Sequence, residues 1–220
     1  MFQNFIGFRA KAMNVGFIIL LIQLFLWISA SYIYGEYAET VRNILIIYFF
    51  MFLITRVTLG GRPAGMSPRE SWSGFLLAFV FTSAILLALG FASGLFEVAS
   101  LTEVTPAAVG VTALGFGALH AFVKAYIEED VFRSALPQAA GLGDFVSNIL
   151  FGLFHFSMLM TVGGLTLETI WLPIIVLISL GMIWSVVRNH FGIMGSTGSH
   201  FAWNLFAFGA LTSIFVGGVA

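Results

Sequence analysis

Residues 127–133 read IEEDVFR, and this stretch decides how the rest of the chain is interpreted. It places four charged side chains within seven positions of a chain that is 60% hydrophobic and only 9% charged. An ionised side chain at the centre of a bilayer costs at least about 2.5–3.5 kcal/mol, so such residues face a protein interior or a water-filled cavity. The stretch therefore predicts a buried polar site, with the adjacent carboxylates Glu128 and Glu129 as its first candidates.

The two glutamates are expected to have different neighbours on their helix. Glu129 and Arg133 are four positions apart, a spacing that favours an ion pair within one helix. Glu128 points about 100° away round the helix, and we expect no basic neighbour on its own turn. Lys124 is interpreted as a packing residue whose ammonium group reaches the membrane surface. The pattern thus predicts that Arg133 anchors Glu129 and leaves Glu128 free for chemistry.

The composition indicates a membrane protein. With 220 residues and 25 Phe, the chain lies far outside the range of soluble domains, and it predicts an all-α, polytopic transmembrane helical bundle of seven to eight spans. The absence of cysteine excludes disulfides, thiol nucleophiles and Cys-ligated metals. No Lys and Arg cluster has the density of a nucleic-acid-binding surface, so the expected partner is the lipid bilayer. The seven predicted spans lie at about 15–34, 41–57, 73–96, 106–136, 145–162, 170–187 and 191–216.

The sequence also suggests where these segments begin and end. Residues 1–104 are expected to form an N-terminal region of three spans, and residues 105–220 a catalytic membrane core. Thr105 as N-cap and Pro106 at the first helical position predict the start of the fourth helix, and Pro137 predicts its end. Glycines at 192, 195 and 198 either let the last helix approach its neighbours closely or break it, which keeps an eighth crossing open.

Lys and Arg residues are distributed unevenly over the two sides of this arrangement. Eight of the nine fall towards one side and only Arg42 towards the other. The positive-inside rule then predicts a cytoplasmic amino terminus, and places Glu97, Glu103 and Glu168 on the opposite side. The predicted localisation is a multi-pass protein of a prokaryotic cell membrane, with its polar site towards the cytoplasm.

Two histidines and an asparagine are expected to join Glu128. At 1.5 Å per residue, Glu128, His155 and His200 lie about 12, 15 and 14 Å from the cytoplasmic ends of their helices. Asn204 follows His200 by four positions and shares its helix face. This set suits hydrolysis of an amide: Glu128 as general base towards water, His155 holding that water or a metal, and His200 with Asn204 donating to an oxyanion.

Three motifs on separate helices occur in the order Glu128-Glu129 with Arg133, Phe151-xxx-His155, and His200-xxx-Asn204. Together they resemble the signature of the CPBP intramembrane proteases, the family of type II CAAX prenyl endopeptidases and bacterial Abi proteins. The resemblance covers about residues 106–208. It implies an eight-helix-like membrane fold, a catalytic glutamate at Glu128, a histidine at His155 and an oxyanion pair at His200 and Asn204. Asp130 departs from the family pattern, which has an apolar residue there.

The polar set is compatible with a metal-dependent or a metal-free mechanism. Glu128, His155 and His200 form a plausible zinc set of two histidines and one carboxylate with an open position for water. They lie on three helices, however, and lack the local HExxH geometry. We favour a mechanism that requires no cofactor, in which Glu128 activates water, over one that uses a divalent metal such as zinc.

The leading functional hypothesis is an intramembrane endopeptidase that cleaves near the cytoplasmic membrane face. Its substrate would be a CAAX-type or other lipid-anchored peptide, for example a prenylated protein. One alternative is a non-catalytic membrane scaffold or bacteriocin-immunity-type protein, which has no need of this whole polar set. Another is a small proton-coupled transporter that uses Glu128 and His155 as a relay, although the chain lacks the inverted repeats of many transporters.

Overall fold

The computed structural model describes residues 18–32, 38–58, 71–92, 111–161 and 165–207, and every regular element among them is helical. The all-α prediction is therefore confirmed for these residues. The predicted helix start at Thr105 and Pro106, and the loops that carry Glu97 and Glu103, lie outside them. The elements are α1 (Ile18–Tyr32), α2 (Ala38–Thr58), α3 (Ser71–Ala92), α4 (Val111–Asp130), a π-helical turn (Val131–Ala135), α5 (Leu136–Ala139), α6 (Asp144–Phe154), α7 (Phe156–Thr161) and α8 (Trp171–Ala207).

Within the described ranges, three helical stretches are long and apolar enough to cross a membrane. They are Ala38–Thr55 in α2, Trp72–Leu89 in α3 and Trp171–Phe206 in α8, while α1 and α6 are apolar but shorter. Large apolar side chains cover the outer faces of these helices; Phe81 is 70% exposed and Leu172 71%. Such faces match a hydrocarbon solvent better than water. The count of seven to eight spans remains a prediction.

Helix α8 consists of two arms, 171–191 and 193–207, that meet at a sharp break. Gly192 has φ 72° and ψ −177°, a conformation that side chains with a Cβ rarely adopt. On a straight helix, Trp184 and His200 would be about 24 Å apart. Their ring centroids are instead 3.8 Å apart, so the second arm folds back along the first. Of the two outcomes that the sequence left open at Gly192, the structure has the break.

The second arm of α8 packs along α3 with no room for a side chain at their closest approach. A Cβ added at Gly198 would overlap the backbone carbonyl of Phe75. Small residues at helix crossings in membranes let the backbones come close, and the dispersion contacts made there stabilise the pair. Gly198 thereby fixes the position of the arm that carries His200 and Asn204.

Pro137 does not end the helix that begins with α4, contrary to the sequence-based expectation. The proline has no N–H to donate to the carbonyl of Arg133 four positions earlier. That carbonyl accepts a hydrogen bond from the Arg188 guanidinium instead. The N–H of Leu136 bonds to the carbonyl of Val131, five positions back, which widens the helix into the π-helical turn. The chain then continues through α5 and turns at Gly141, whose φ is 65°.

One apolar cluster joins α1, α2, α3, α4 and α8 beside the polar site. Because its members come from both sides of position 104, the helices of the N-terminal region pack into the same core as those that carry the motifs. The division into 1–104 and 105–220 remains a prediction. The buried residues of this cluster are Ile19, Tyr48, Phe52, Phe75, Val123, Tyr126, Ile127, Ile193 and Met194.

Candidate active site

Glu128 lies at the centre of a buried polar cluster and is itself fully buried. Its Oε1 accepts a hydrogen bond from the Tyr48 hydroxyl. The same oxygen lies 3.6 Å from Nε2 of His155 and 3.9 Å from Nζ of Lys124. Its Oε2 lies 3.4 Å from Nε2 of His200. Side chains from α2, α4, the end of α6 and the second arm of α8 therefore converge on one carboxylate.

The expectation that Glu128 has no basic neighbour on its own turn is wrong. Lys124 precedes Glu128 by four positions on α4 and brings its ammonium nitrogen to 3.9 Å from Oε1. A lysine N-terminal to a glutamate is the weaker order for such a pair, but the spacing still lets the two side chains meet. The Lys124 side chain is only 14% exposed, so its interpretation as a residue that reaches the surface is also wrong.

Glu129 holds two partners, of which the sequence predicted one. Its Oε2 lies 3.4 Å from Nε of Arg133, and both side chains are fully buried. The Arg133 guanidinium also lies 4.3 Å from the centroid of the Phe151 ring, within the range of cation–π attraction. The second partner is His200, whose Nδ1 donates to Oε1 of Glu129 over 2.9 Å. Glu129 thus connects α4 to α8 as well as pairing with Arg133.

The hydrogen bonds of the two histidines assign their tautomers. Nδ1 of His155 lies 2.8 Å from the carbonyl oxygen of Phe151, and a carbonyl can only accept, so this nitrogen carries a proton. Nδ1 of His200 likewise donates to the Glu129 carboxylate. In the neutral form, each ring then presents the lone pair of Nε2 to Glu128. The separations of 3.4 and 3.6 Å are longer than direct hydrogen bonds.

His155 lies at a break between two helices, although the sequence predicted an unbroken span over 145–162. The residue is the C-cap of α6, with φ −80° and ψ −4°, and its backbone N–H bonds to the carbonyls of Gly152 and Leu153. The chain resumes as α7 at Phe156. The break is compatible with the Phe151-xxx-His155 spacing, because the imidazole still reaches back to the Phe151 carbonyl in the preceding turn.

His200 is held from its face as well as from its edge. The Trp184 ring stacks on it with an interplanar angle of 13°, and Trp184 is 1% exposed. Phe151 meets the same imidazole edge-to-face at 5.8 Å. Aromatic packing of this kind restricts the ring to one orientation. Together with the Glu129 hydrogen bond, it directs Nε2 towards Glu128.

Asn204 and Asp130 are buried beside this cluster. Asn204 lies one turn after His200, and its Nδ2 is 3.5 Å from the carbonyl oxygen of Ala121. That distance is longer than a typical hydrogen bond, so the amide can be redirected to a stronger acceptor. Asp130, the departure from the family pattern, is 3% exposed at the end of α4.

The donors suit a metal in type but not in arrangement. Two imidazole nitrogens and a carboxylate are ligands that zinc accepts. Within the part of the chain that the structure describes, however, no group of three or more His, Asp or Glu side chains is arranged to hold a metal ion. Oε1 of Glu128 is bonded to the Tyr48 hydroxyl and lies near the Lys124 ammonium, a cation that would repel a metal.

Sequence reasoning missed three members of this site: Tyr48, Lys124 and Trp184. Trp184 meets His200 only because α8 folds back at Gly192. Tyr48 is 80 positions from Glu128, and nothing local in α2 distinguishes it from the other aromatic residues there. Lys124 was recognisable, because the four-residue spacing that identifies Glu129 with Arg133 also identifies Lys124 with Glu128.

Comparison with known proteins finds a family match for part of the chain. Residues 110–206 match a family model described as "Rce1-like: Type II CAAX prenyl endopeptidase Rce1-like". No curated protein and no solved structure matches the chain. The matched segment contains the Glu128, His155 and His200 motifs, as the sequence resemblance predicted, and the apolar helices fit a protein embedded in a membrane. This segment, 97 of the 220 residues, is thus similar to the Rce1-like family of type II CAAX prenyl endopeptidases, and the apolar helices indicate an integral membrane protein.

Proposed function

We propose that this protein hydrolyses a peptide bond inside the membrane with water that Glu128 activates. The observation that carries the proposal is the convergence on Glu128: Nε2 of His155 at 3.6 Å and Nε2 of His200 at 3.4 Å, all buried. A water held between the carboxylate and an imidazole lone pair has both hydrogens engaged, which directs an oxygen lone pair at a substrate carbonyl. General-base assistance of this kind contributes about 10²- to 10⁴-fold to a rate.

The proposed reaction proceeds through a tetrahedral intermediate. Glu128 accepts a proton as the water oxygen attacks the carbonyl carbon, and the carbonyl oxygen becomes an oxyanion. The proton then passes to the amide nitrogen, the C–N bond breaks, and a carboxylate and an amine leave. Asn204 Nδ2 and His200 Nε2 are the proposed oxyanion donors. Because His200 Nδ1 already donates to Glu129, donation from Nε2 requires that His200 enter the reaction doubly protonated. The imidazole lone pair that holds the water is then that of His155.

Glu129 and Arg133 have a supporting role in this proposal. Glu129 accepts the His200 hydrogen bond and pairs with Arg133, which keeps the imidazole aligned with Glu128. Trp184 restrains the same imidazole from its face. These contacts reduce the reorganisation that the site needs when charge develops in the transition state.

An apolar groove supports a lipid-modified or strongly apolar substrate. The groove has a volume of about 410 Å³ and runs between α2 and the π-helical turn. Its lining residues Met51 and Val131 follow Tyr48 and Glu128, respectively, by three positions in the sequence. A lipid chain or apolar side chains could lie there while the adjoining backbone reaches the carboxylate. The groove is lined by Met51, Ile54, Thr55, Val131, Ala135, Leu136 and Ala140.

The orientation is part of the proposal. The positive-inside distribution favours a cytoplasmic position for the π-helical turn that follows α4 and carries Arg133, with Arg42 at the opposite surface. Arg42 hydrogen-bonds to Ser31 and to the carbonyl of Trp27 near the end of α1, as expected for a charged residue at the end of a membrane-spanning helix. A prenylated protein of the cytoplasmic leaflet could then reach Glu128.

Peptide cleavage by the purified protein tests this function. The protein in liposomes would be incubated with a farnesylated CAAX-type peptide and with the same peptide lacking the lipid, and products mapped by mass spectrometry. We expect cleavage of the farnesylated peptide that persists with a chelator. Loss of activity with chelator and recovery with zinc would keep the protease and replace the metal-free mechanism. Absence of cleavage of either peptide and of other lipid-anchored peptides would favour a scaffold or transporter.

A further inference from the structure

We propose that Tyr48 of α2 is a positioning residue of the active site, which selects the Glu128 oxygen that accepts the proton from water. Tyr48 lies outside residues 110–206, the segment that matches the family model. Its hydroxyl nevertheless donates directly to Oε1 of Glu128, and the side chain is 5% exposed. This inference rests on the proposed function and adds α2 to the elements that build its site.

The two oxygens of Glu128 have unequal surroundings. Oε1 is bonded to the Tyr48 hydroxyl and lies near His155 and Lys124, at 3.6 and 3.9 Å. Oε2 makes no hydrogen bond to any described residue, and Nε2 of His200 lies 3.4 Å from it. A carboxylate whose one oxygen is held by a donor keeps the other free to accept a proton. Oε2 is therefore the oxygen that takes the proton from water.

The Tyr48 ring is itself fixed, which makes it suited to this role. It packs in the apolar cluster with Phe52 of the same helix, Ile127 of α4 and Ile193 of α8. A phenol needs only two torsions to be fixed in order to place its hydroxyl, and this packing restrains both. If the hydroxyl is removed, the carboxylate is free to rotate, and Oε2 is no longer held towards His200.

Tyr48→Phe is the decisive substitution, because it removes the hydroxyl and retains the ring. With the farnesylated CAAX-type peptide, we expect kcat to fall by about tenfold to a hundredfold, the effect of losing one hydrogen bond to a charged group. KM should change by less than about twofold, since the substrate contacts are retained. Tyr126→Phe is the matched control: it removes a phenol hydroxyl from the same cluster, about 200° round α4 from Glu128, and should retain wild-type kcat.

Infrared spectroscopy tests the same contact without a substrate. In the wild-type background, the Glu128 carboxylate band is isolated by subtracting the spectrum of Glu128→Gln from that of the wild-type protein. In the Tyr48→Phe background, it is isolated by subtracting the spectrum of the double variant Tyr48→Phe/Glu128→Gln from that of Tyr48→Phe. Loss of the hydroxyl donor should shift the band, and Tyr126→Phe should not. Tyr48→Leu should give the same shift as Tyr48→Phe, which guards against a failure of one variant to fold.

The outcomes separate this inference from the function on which it rests. An unshifted band together with full kcat in Tyr48→Phe, in a protein that Glu128→Gln inactivates, would overturn the role of Tyr48 alone. Full activity in Glu128→Gln would overturn the proposed mechanism, and the positioning role with it. A shifted band with lowered kcat and near-constant KM supports the inference.

Discussion

Nδ1 of His200 lies 2.9 Å from Oε1 of Glu129, so the carboxylate next to the proposed general base holds the imidazole that faces that base. The other nitrogen of the same ring lies 3.4 Å from Oε2 of Glu128. One imidazole thus connects the two adjacent glutamates. The two glutamates therefore have different roles. The oxygens of Glu129 pair with Arg133 and His200, whereas Oε2 of Glu128 has no hydrogen-bond partner among the described residues and can bind water.

Glu129→Gln should lower both stability and activity. An amide has one oxygen, so it cannot accept from His200 and also pair with Arg133, whose charge would be left buried and unpaired. Breaking a buried pair in this way costs about 3 kcal/mol or more. Thermal unfolding in detergent measures the loss of stability, and peptide cleavage measures the loss of activity. Glu128→Gln is the matched control and should lower the unfolding temperature less, because its amide oxygen still accepts from Tyr48 and the Lys124 pair that it weakens is longer, at 3.9 Å, and less buried. Equal destabilisation by the two substitutions would contradict this division of roles.

Gly198→Ala should destabilise the crossing of α3 and α8. The added methyl group would overlap the Phe75 carbonyl, and backbone atoms cannot move aside as a flexible side chain does. Overpacking of this kind costs about 1–3 kcal/mol. The control is Gly143→Ala, where φ is −65° and no atom lies within 4 Å of an added Cβ. A Gly198→Ala protein as stable as Gly143→Ala would mean that the two helices are not in close contact.

The orientation can be measured by cysteine labelling, because the natural chain has no cysteine. Ser67→Cys lies outside the described residues, between Arg62 and Arg69, in a segment predicted to face the cytoplasm, and it should react with a membrane-impermeant reagent only after the cells are permeabilised. Glu168→Cys lies in an exposed position before α8 and should react in intact cells. The reverse pattern would place the π-helical turn that carries Arg133 at the outer surface.

Local spacing predicted part of this site, because four-residue intervals on a helix bring side chains together whatever surrounds them. Glu129 with Arg133 is the clearest case, and the contact is present at 3.4 Å. The break at Gly192 was one of two outcomes expected from glycine spacing. The membrane class followed from composition, and the three motifs led to the family whose model matches residues 110–206.

Other features depend on tertiary contacts that no local pattern encodes. Tyr48 meets Glu128 only because α2 packs against α4, and Glu129 meets His200 only because the second arm of α8 folds back at Gly192. Pro137 was expected to end its helix, since the rule assumes that the carbonyl of Arg133 has no other donor. Arg188, 55 positions away, supplies that donor.

The most direct test of the mechanism is the activity of Glu128→Gln on a peptide that the wild-type protein cleaves. The amide keeps the shape of the side chain but cannot accept a proton from water, so binding should persist while kcat falls at least about 10³-fold. Cleavage followed by mass spectrometry, together with a binding assay on the same protein, measures the two separately. Peptide that is bound and left intact is the predicted result. A Glu128→Gln protein that retains most of its turnover would contradict the assignment of Glu128 as the base.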